Sequence, residues 1–461
     1  MRPVLLSQLA LWCEGRLIGA DCAIERISTD SREDLQQGLF VALKGERFDA
    51  HDFTAQAKAN DAAALLVHRV VDTDLPHILC ADTEDALGEI AAGLAKDRPA
   101  VVLALTGSNG KTSVKTMLHS ILAIAGKAYV NPGNRNNEIG LPLAVIDAPE
   151  DAEFAVYEMG AGKLGDIAYL TSIVTPTVAL VNNVAPAHIE RMGSLLGIAE
   201  TKGAIYEALP DDGIAVVNVD DAFAPYFLER IGRRGVLRFG IENNADVSAG
   251  QLRLSAEQSH FELVCPAGRA EICLSFSGRH NVMNALAAAA MALAAGASFE
   301  AVLTGLQRAR PVAGRQVVML LNNDVLLIDD SYNANPGSVA AAIDSLAAAC
   351  ALDKRQSVLV LGDMAELGES AEALHAQIGS AAKTQGIDAL YTCGRLSAAT
   401  SAAFGPAARH FNTRDELIIA LKQNSAANQR ILVKGSRSSR MDEVIKALAL
   451  HFGLKENTDA A

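Results

Sequence analysis

Short, unbroken apolar runs recur along the chain, separated by stretches whose apolar residues fall at helical spacing. Val101-Val102-Leu103-Ala104-Leu105, Phe154-Ala155-Val156-Tyr157, Val178-Ala179-Leu180-Val181 and Ile214-Ala215-Val216-Val217 are of this kind. Continuous rather than alternating hydrophobicity suits strands buried on both faces, so the pattern predicts a parallel sheet covered by helices. The chain divides into three segments. Residues 1–97 carry Gly38-Leu39-Phe40-Val41-Ala42-Leu43 and Ala63-Ala64-Leu65-Leu66-Val67 among polar helices. They close on Lys96-Asp97-Arg98-Pro99, where the proline disfavours helix in the residue before it. Residues 98–311 hold the four runs above, and 235–277, without helix signals, predict an antiparallel excursion. Residues 312–461 open with a hairpin, 317–321 and 325–328, joined by Asn322-Asn323-Asp324. Strands at 357–361, 389–392 and 430–433 then alternate with helices, so the fold class expected is α/β throughout.

At the N-terminus, Leu5, Leu6, Leu9 and Trp12 suit a short amphipathic helix, and Ser7 and Gln8 break the apolar run a signal peptide needs. The Ala-rich tract 285–295 falls well short of the roughly 20 residues that span a bilayer, and reads as a buried helix.

Composition narrows the classes. A length of 461 residues suggests about two to four domains. Half the residues are apolar and the net charge is −14, which argues against a broad surface for nucleic acid or anionic lipid. The seven cysteines include no C-x-x-C pair, so reduced thiols and a cytoplasmic chain are expected. No additional apolar stripe asks for a partner, so a monomer is expected. The tail 455–461 reads as frayed.

Candidate chemistry begins at Thr106-Gly107-Ser108-Asn109-Gly110-Lys111-Thr112, which follows a buried strand and precedes a helix over 113–125. Strand, glycine loop, Lys-Thr and helix form the context of a phosphate loop: backbone N–H groups turn inward and the helix N-terminus adds positive potential. Lys111 is placed to reach the β- and γ-phosphates and the Thr112 hydroxyl to ligate Mg²⁺. Leu105 stands where the common phosphate loop has its first glycine. Glu158, at the end of the run 154–157, faces the crevice where open α/β sheets bind ligands. Beside the glycine loop it reads as a Mg²⁺ ligand; by itself it would be a solvated strand-end acid.

These residues resemble the Mur ligase family, and the resemblance covers nearly the whole chain. It rests on the shortened loop Gly107-x-x-Gly110-Lys111-Thr112, Asn136-Asn137-Glu138-Ile139-Gly140-x-Pro142 and Tyr157-Glu158-Met159-Gly160. Asn183-x-x-x-x-His188-Ile189-Glu190, Gly278-Arg279-His280-Asn281-x-x-Asn284-Ala285 and Gly314-Arg315 carry it further. Thr29-Asp30-Ser31-Arg32 with 38–45 implies a UDP-muramoyl substrate; Ala50 departs from a commoner glycine ahead of His51-Asp52-Phe53. Asp329-Asp330-Ser331-Tyr332-Asn333-Ala334-Asn335-Pro336 and Leu361-Gly362-Asp363-Met364-x-Glu366-Leu367-Gly368 resemble the branch that adds D-alanyl-D-alanine to a UDP-muramoyl tripeptide. The Asp-Asn-Pro-Arg motif usual in the sister branch is missing.

The resemblance implies an ATP-dependent ligase of peptidoglycan precursor synthesis working through an acyl phosphate. It implies a small N-terminal domain (1–97) for the UDP-muramoyl substrate and a central P-loop-type ATP-binding domain with an antiparallel addition (98–311). A C-terminal Rossmann-like domain (312–461) would close on ATP about a hinge at 311–315 and bind the incoming dipeptide. ATP with a pair of Mg²⁺ ions is implied, Mn²⁺ being a substitute. Lys202, otherwise a solvated helix lysine, becomes a carbamylated metal ligand beside His188, otherwise a structural histidine, and both join Lys111 in catalysis. Asn281 reads adenine, though Asn281 and Asn284 also suit helix capping. Arg315 and Asp330 contact phosphate and ribose, with a strand-end turn as the plainer reading of Asp330. Ser31 and Asn137 fall to the UDP-muramoyl substrate. Asn333 and the Lys434-Gly435-Ser436-Arg437 turn fall to the peptide or dipeptide, unless that turn is only a basic surface. The alternatives are a sister Mur or folate-type amide ligase, or a nucleotide-dependent motor with Asp363 as its strand-end acid and Arg437 or Arg440 as a finger.

Overall fold

In a computed structural model describing residues 1–45, 48–186 and 189–455, the side chain of Ile189 excepted, the apolar runs become the strands of three large sheets. The central sheet has nine strands. Its strand Val101–Thr106 lies between Phe154–Glu158 and Val178–Val181, parallel to both, and Ile214–Asn218 continues the parallel set. Alternate residues of these strands enter two cores. Leu103, Leu105, Val156, Leu180 and Val216 pack with the helices Lys111–Ala125 and Arg279–Ala294, while Ala104, Ala155, Tyr157, Ala179 and Val217 pack on the opposite face. Burial on both faces is why the runs are unbroken. Ala285 to Ala292 are buried, and the small side chains let the second helix lie close to the first.

The segment 235–277 corrects the expectation of a purely antiparallel excursion. Gly235–Gly240 pairs parallel with Ile214–Asn218, because the helix Ala224–Ile231 just ahead of it carries the chain back across the sheet. Only Val247–Leu254, Ser259–Cys265 and Gly268–Leu274 run antiparallel to one another, as an extension of the same sheet.

The N-terminal five-stranded sheet and the two-stranded ribbon Val4–Leu5 with Ala23–Ile24 use residues up to Leu79. The helix Leu6–Trp12 buries Leu6 and Leu9, while Leu5 belongs to the ribbon and is exposed. One apolar cluster runs unbroken from this unit into the central one, joining Leu6, Leu39 and Leu87 to Val145, Ile198 and Phe227. The C-terminal six-stranded sheet has cores of its own. Its hairpin, Val317–Leu320 against Leu326–Asp330, is antiparallel and the remaining strands are parallel. The edge strand Ala408–Phe411 escapes the sequence pattern because Arg409 and His410 face solvent. All seven cysteines are free thiols. Among the described residues no helix is long and apolar enough to cross a membrane.

Candidate active site

The parallel strands end at one rim, and the loop after Thr106 lies along it. Gly110 has φ +80°, and a Cβ there would stand 2.3 Å from Asn284 Oδ1, so only glycine fits. The loop is tied to the neighbouring strand end: Ser108 N donates to Asn183 O, Asn109 N to Asn183 Oδ1, and Ser108 Oγ to Ala185 O. Lys111 Nζ donates back to Gly107 O at 2.7 Å. Burial pushes the Lys111 ammonium pKa down, the nearby Glu158 opposes that shift, and Arg315 adds to it.

Glu158 is the charge around which this rim is organised. It ends its strand, is 4% exposed, and accepts from Thr112 Oγ1 at 3.1 Å and Asn136 Nδ2 at 2.9 Å. Burial alone would raise its pKa, but Lys115, Lys111 and Arg315 outweigh that and hold the carboxyl below its ordinary value. Lys115, which the motif reading missed, lies 3.3 Å from Glu158 Oε2 and donates to the carbonyls of Asn131 and Gly133. Its helical spacing from Lys111 was the available signal. Asn136 rather than Asn137 reaches the carboxylate; Asn137 is exposed and its Oδ1 accepts from Gly140 N. The hydroxyl and carboxylate of Thr112 and Glu158 form an oxygen-only pair, which suits a small hard cation such as Mg²⁺.

The C-terminal unit faces this rim across a cleft of about 630 Å³, lined by residues 108–112, Asn281, Arg315, Asp330, Asn333 and Lys434. Arg315 Nη2 donates to Thr112 Oγ1 at 3.2 Å, and Asn335 Nδ2 to Asn109 Oδ1 at 2.7 Å. Neither Asn281 nor Asn284 caps the helix Arg279–Ala294; its N-cap is Gly278. Both are buried in an amide network instead, Asn281 donating to Ser277 O and Gln316 Oε1, Asn284 accepting from Asn182. Asp330, 7% exposed, binds Lys434 Nζ at 2.7 Å. Lys434 is 3% exposed at the end of the strand Gln429–Lys434 and also donates to Asn333 O, so a basic surface turn is not its role. Asn333 is exposed in the cleft.

Lys202 lies in the helix Leu195–Glu207 and is 2% exposed, contrary to the solvated position its sequence context suggests. Burial, then the charge of Lys111, depresses its ammonium pKa far below the ordinary value, with Asp166 opposing. His188 lies outside the described residues. Ser31 is outside the cleft, in the N-terminal unit, where its hydroxyl donates to Gln56 Oε1. Asp363 accepts from Ser397 N within the C-terminal unit and does not line the cleft, which removes the strand-end acid of the motor reading. Ala50 sits in the 3-10 helix Ala50–Phe53 without a positive φ, so no glycine is needed there.

Two family profiles match the chain: the Mur ligase middle domain over residues 105–292, and the Mur ligase glutamate ligase domain over residues 314–437. The UDP-N-acetylmuramoyl-tripeptide–D-alanyl-D-alanine ligase of Escherichia coli (strain K12) is 46% identical over 97% of this chain and 99% of its own length. Among solved structures, a crystal structure of MurF from Acinetobacter baumannii superposes with a TM-score of 0.92 at 34% identity, covering 97% of this chain and 99% of that one. MurF ligase from Thermotoga maritima in complex with ADP gives 0.83 at 27% identity, covering 93% and 98%.

Proposed function

This chain belongs to the Mur ligase family, and from that premise we propose how its residues divide the work of one reaction. It is an ATP-dependent ligase that joins D-alanyl-D-alanine to UDP-N-acetylmuramoyl-tripeptide, giving the UDP-linked pentapeptide, ADP and phosphate in peptidoglycan precursor synthesis. Residues 1–97 take the UDP-muramoyl end, with Ser31 as a contact there and Asn137 as a contact from the central unit. Residues 98–311 take ATP, and 312–461 close over it. The single observation that carries the assignment of roles is the buried Glu158 carboxylate, gathered by Thr112, Lys115 and Asn136 under the charges of Lys111 and Arg315.

The terminal carboxylate of the tripeptide attacks the γ-phosphorus of ATP and ADP leaves. The amine of D-alanyl-D-alanine then attacks the acyl carbon, phosphate leaves, and the amine gives up a proton. The first step brings anions together, so positioning and positive charge carry it. Lys111, the loop N–H groups and Arg315 supply that charge. Thr112 and Glu158 would hold Mg²⁺, or Mn²⁺ as its substitute, which would supply further positive charge at the phosphates. Asn281 reads adenine through the amide network, Asp330 takes ribose, and Asn333 and Arg437 face the dipeptide. Lys434 fixes Asp330 and the backbone at Asn333 more than it offers a free ammonium.

Lys202 is the carbamylated residue in this reading. Burial and the nearby charge of Lys111 disfavour its ammonium form and so favour the amine, whose nitrogen bonds to the carbon of CO₂ with loss of a proton, giving an anionic oxygen donor. That donor and His188 would hold a second Mg²⁺. Contacts such as Asn335 to Asn109 place the C-terminal unit against the phosphate loop, which keeps water from the acyl phosphate. Residues 311–315 form the hinge.

The test incubates purified protein with ATP, Mg²⁺, UDP-muramoyl-tripeptide and D-alanyl-D-alanine, following phosphate release and product mass. Phosphate release that needs both peptide substrates, with a pentapeptide product, is expected. Turnover indifferent to either one refutes the reading.

A further inference from the structure

Tyr332 has no part in the roles given above, yet two guanidinium groups converge on its ring. Arg315 Cζ stands 4.2 Å from the ring centroid and Arg437 Cζ 5.7 Å. The arginines come from distant parts of the chain. Arg315 precedes the strand Val317–Leu320 at the junction with the central unit; Arg437 opens the 3-10 turn Arg437–Ser439 beyond Gln429–Lys434. Arg315 also reaches over the cleft to Thr112, and Arg437 is exposed.

The ring is anchored from its backbone. Tyr332 N donates to Gly314 O at 3.2 Å, and Gly314 N to Asp329 Oδ2 at 3.0 Å. Gly314 has φ +76°, and a Cβ on it would stand 2.9 Å from Tyr332 Cβ. The residue before Arg315 is thus seated directly on Tyr332. The phenol hydroxyl makes no hydrogen bond among the described residues, so what the side chain offers its neighbours is its face. An aromatic face attracts guanidinium groups and stacks with their planes, which narrows the rotamers of two long side chains without using their N–H donors. Apart from the Arg315 Nη2 contact to Thr112, those donors stay available for phosphate and carboxylate oxygens.

We propose that Tyr332 is a positioning residue that aligns Arg315 with the transferred phosphate and Arg437 with the carboxylate of the incoming dipeptide. One ring then ties the ATP arm of the site to the dipeptide arm. The inference rests on the roles assigned above to the two arginines, so the experiment measures those roles alongside it.

Steady-state kinetics with each of the three substrates varied in turn would compare wild type, Tyr332→Phe, Tyr332→Leu, Arg315→Ala and Arg437→Ala. Tyr332→Leu is expected to raise KM for both ATP and D-alanyl-D-alanine by roughly threefold to thirtyfold, the range of a lost cation–π contact. KM for the muramoyl tripeptide should stay within about twofold, and Tyr332→Phe should rescue both shifted values. Arg315→Ala should move the ATP value alone and Arg437→Ala the dipeptide value alone. If each arginine variant shifts its substrate but Tyr332→Leu shifts neither, the inference falls and the site reading stands. Arginine variants that leave both values unmoved overturn the reading and the inference with it. Tyr332→Phe as impaired as Tyr332→Leu also overturns the inference, because the ring face is intact there. Should Tyr332→Leu fail to fold by circular dichroism, Tyr332→Trp decides. Its stronger cation–π face is expected to hold both KM values or lower them, and a rise in both refutes the proposal.

Discussion

Replacing Lys115 by methionine keeps a long, unbranched side chain and removes the charge beside Glu158. The ammonium lies 3.3 Å from Oε2, with the two side chains only 7% and 5% exposed. Their Coulomb attraction at that distance is about 5 kcal/mol at an effective dielectric of about 20, before the cost of burying both ions. The net effect of deleting one partner is set by the charge left behind, and breaking a buried pair this way costs about 3–5 kcal/mol. Lys111 and Arg315 still act on Glu158, and Thr112 and Asn136 still donate to it, so the low end applies. A loss of about 3 kcal/mol is therefore expected in urea unfolding of the nucleotide-free protein. Glu158→Gln alone strands Lys115 in turn. The double variant Lys115→Met/Glu158→Gln removes both charges and should cost less than the two single variants together, by about 2 kcal/mol. A Lys115→Met loss below about 1 kcal/mol, or strict additivity in the cycle, would refute the claim that this lysine neutralises the carboxylate.

Further outcomes follow from other contacts. Lys202→Ala should lower kcat by about a hundredfold or more, equivalent to about 3 kcal/mol, with partial recovery on adding short carboxylic acids; no loss would remove the carbamate role. Asn109→Ala deletes the hydrogen bond to Asn335 without touching the latter's cap on the helix Pro336–Asp353. It should weaken closure by about 0.5–1.5 kcal/mol, seen by small-angle scattering as a smaller compaction with an ATP analogue and muramoyl substrate. An unchanged compaction counts against the contact. Burial depresses the His280 pKa below its ordinary 6.5, so the unfolded chain takes up the proton first as pH falls through that value. Stability is full above it and declines down to the folded pKa, by at most about 1.4 kcal/mol per pH unit for a single proton. His280→Gln should flatten the pH dependence of the urea midpoint below about pH 6.5, and an unchanged slope would assign that dependence elsewhere.

The α/β architecture was legible because doubly buried strands leave unbroken apolar runs, and the phosphate loop because its glycines and Lys-Thr pair are local. Glu158 was legible as well, since strand-end position follows from pattern. What escaped depended on partners far apart in the chain. The burial of Lys202 arises from packing of the helix Leu195–Glu207, whose polar neighbours gave no hint of it. Lys434 read as a contact to the peptide or dipeptide, with a basic surface turn as the alternative. Its tie to Asp330 was hidden because that partner lies on another strand, brought alongside only by parallel pairing of Leu326–Asp330 with Gln429–Lys434. The parallel course of Gly235–Gly240 was hidden because the helix responsible lies outside the segment being read. Asn136 and Asn137 are adjacent and chemically identical, so only backbone direction could show which one turns to Glu158.

The continuity of the first core has a thermal consequence. An apolar cluster that crosses from the N-terminal sheet into the central one without a break makes those two units melt together, while the C-terminal cores are free to melt separately. The nucleotide cleft lies across that divide, so any ligand filling it adds its binding free energy to both sides at once. Calorimetry of the ligand-free protein should then resolve two heat-absorption peaks, and saturation with nucleotide should draw them into one.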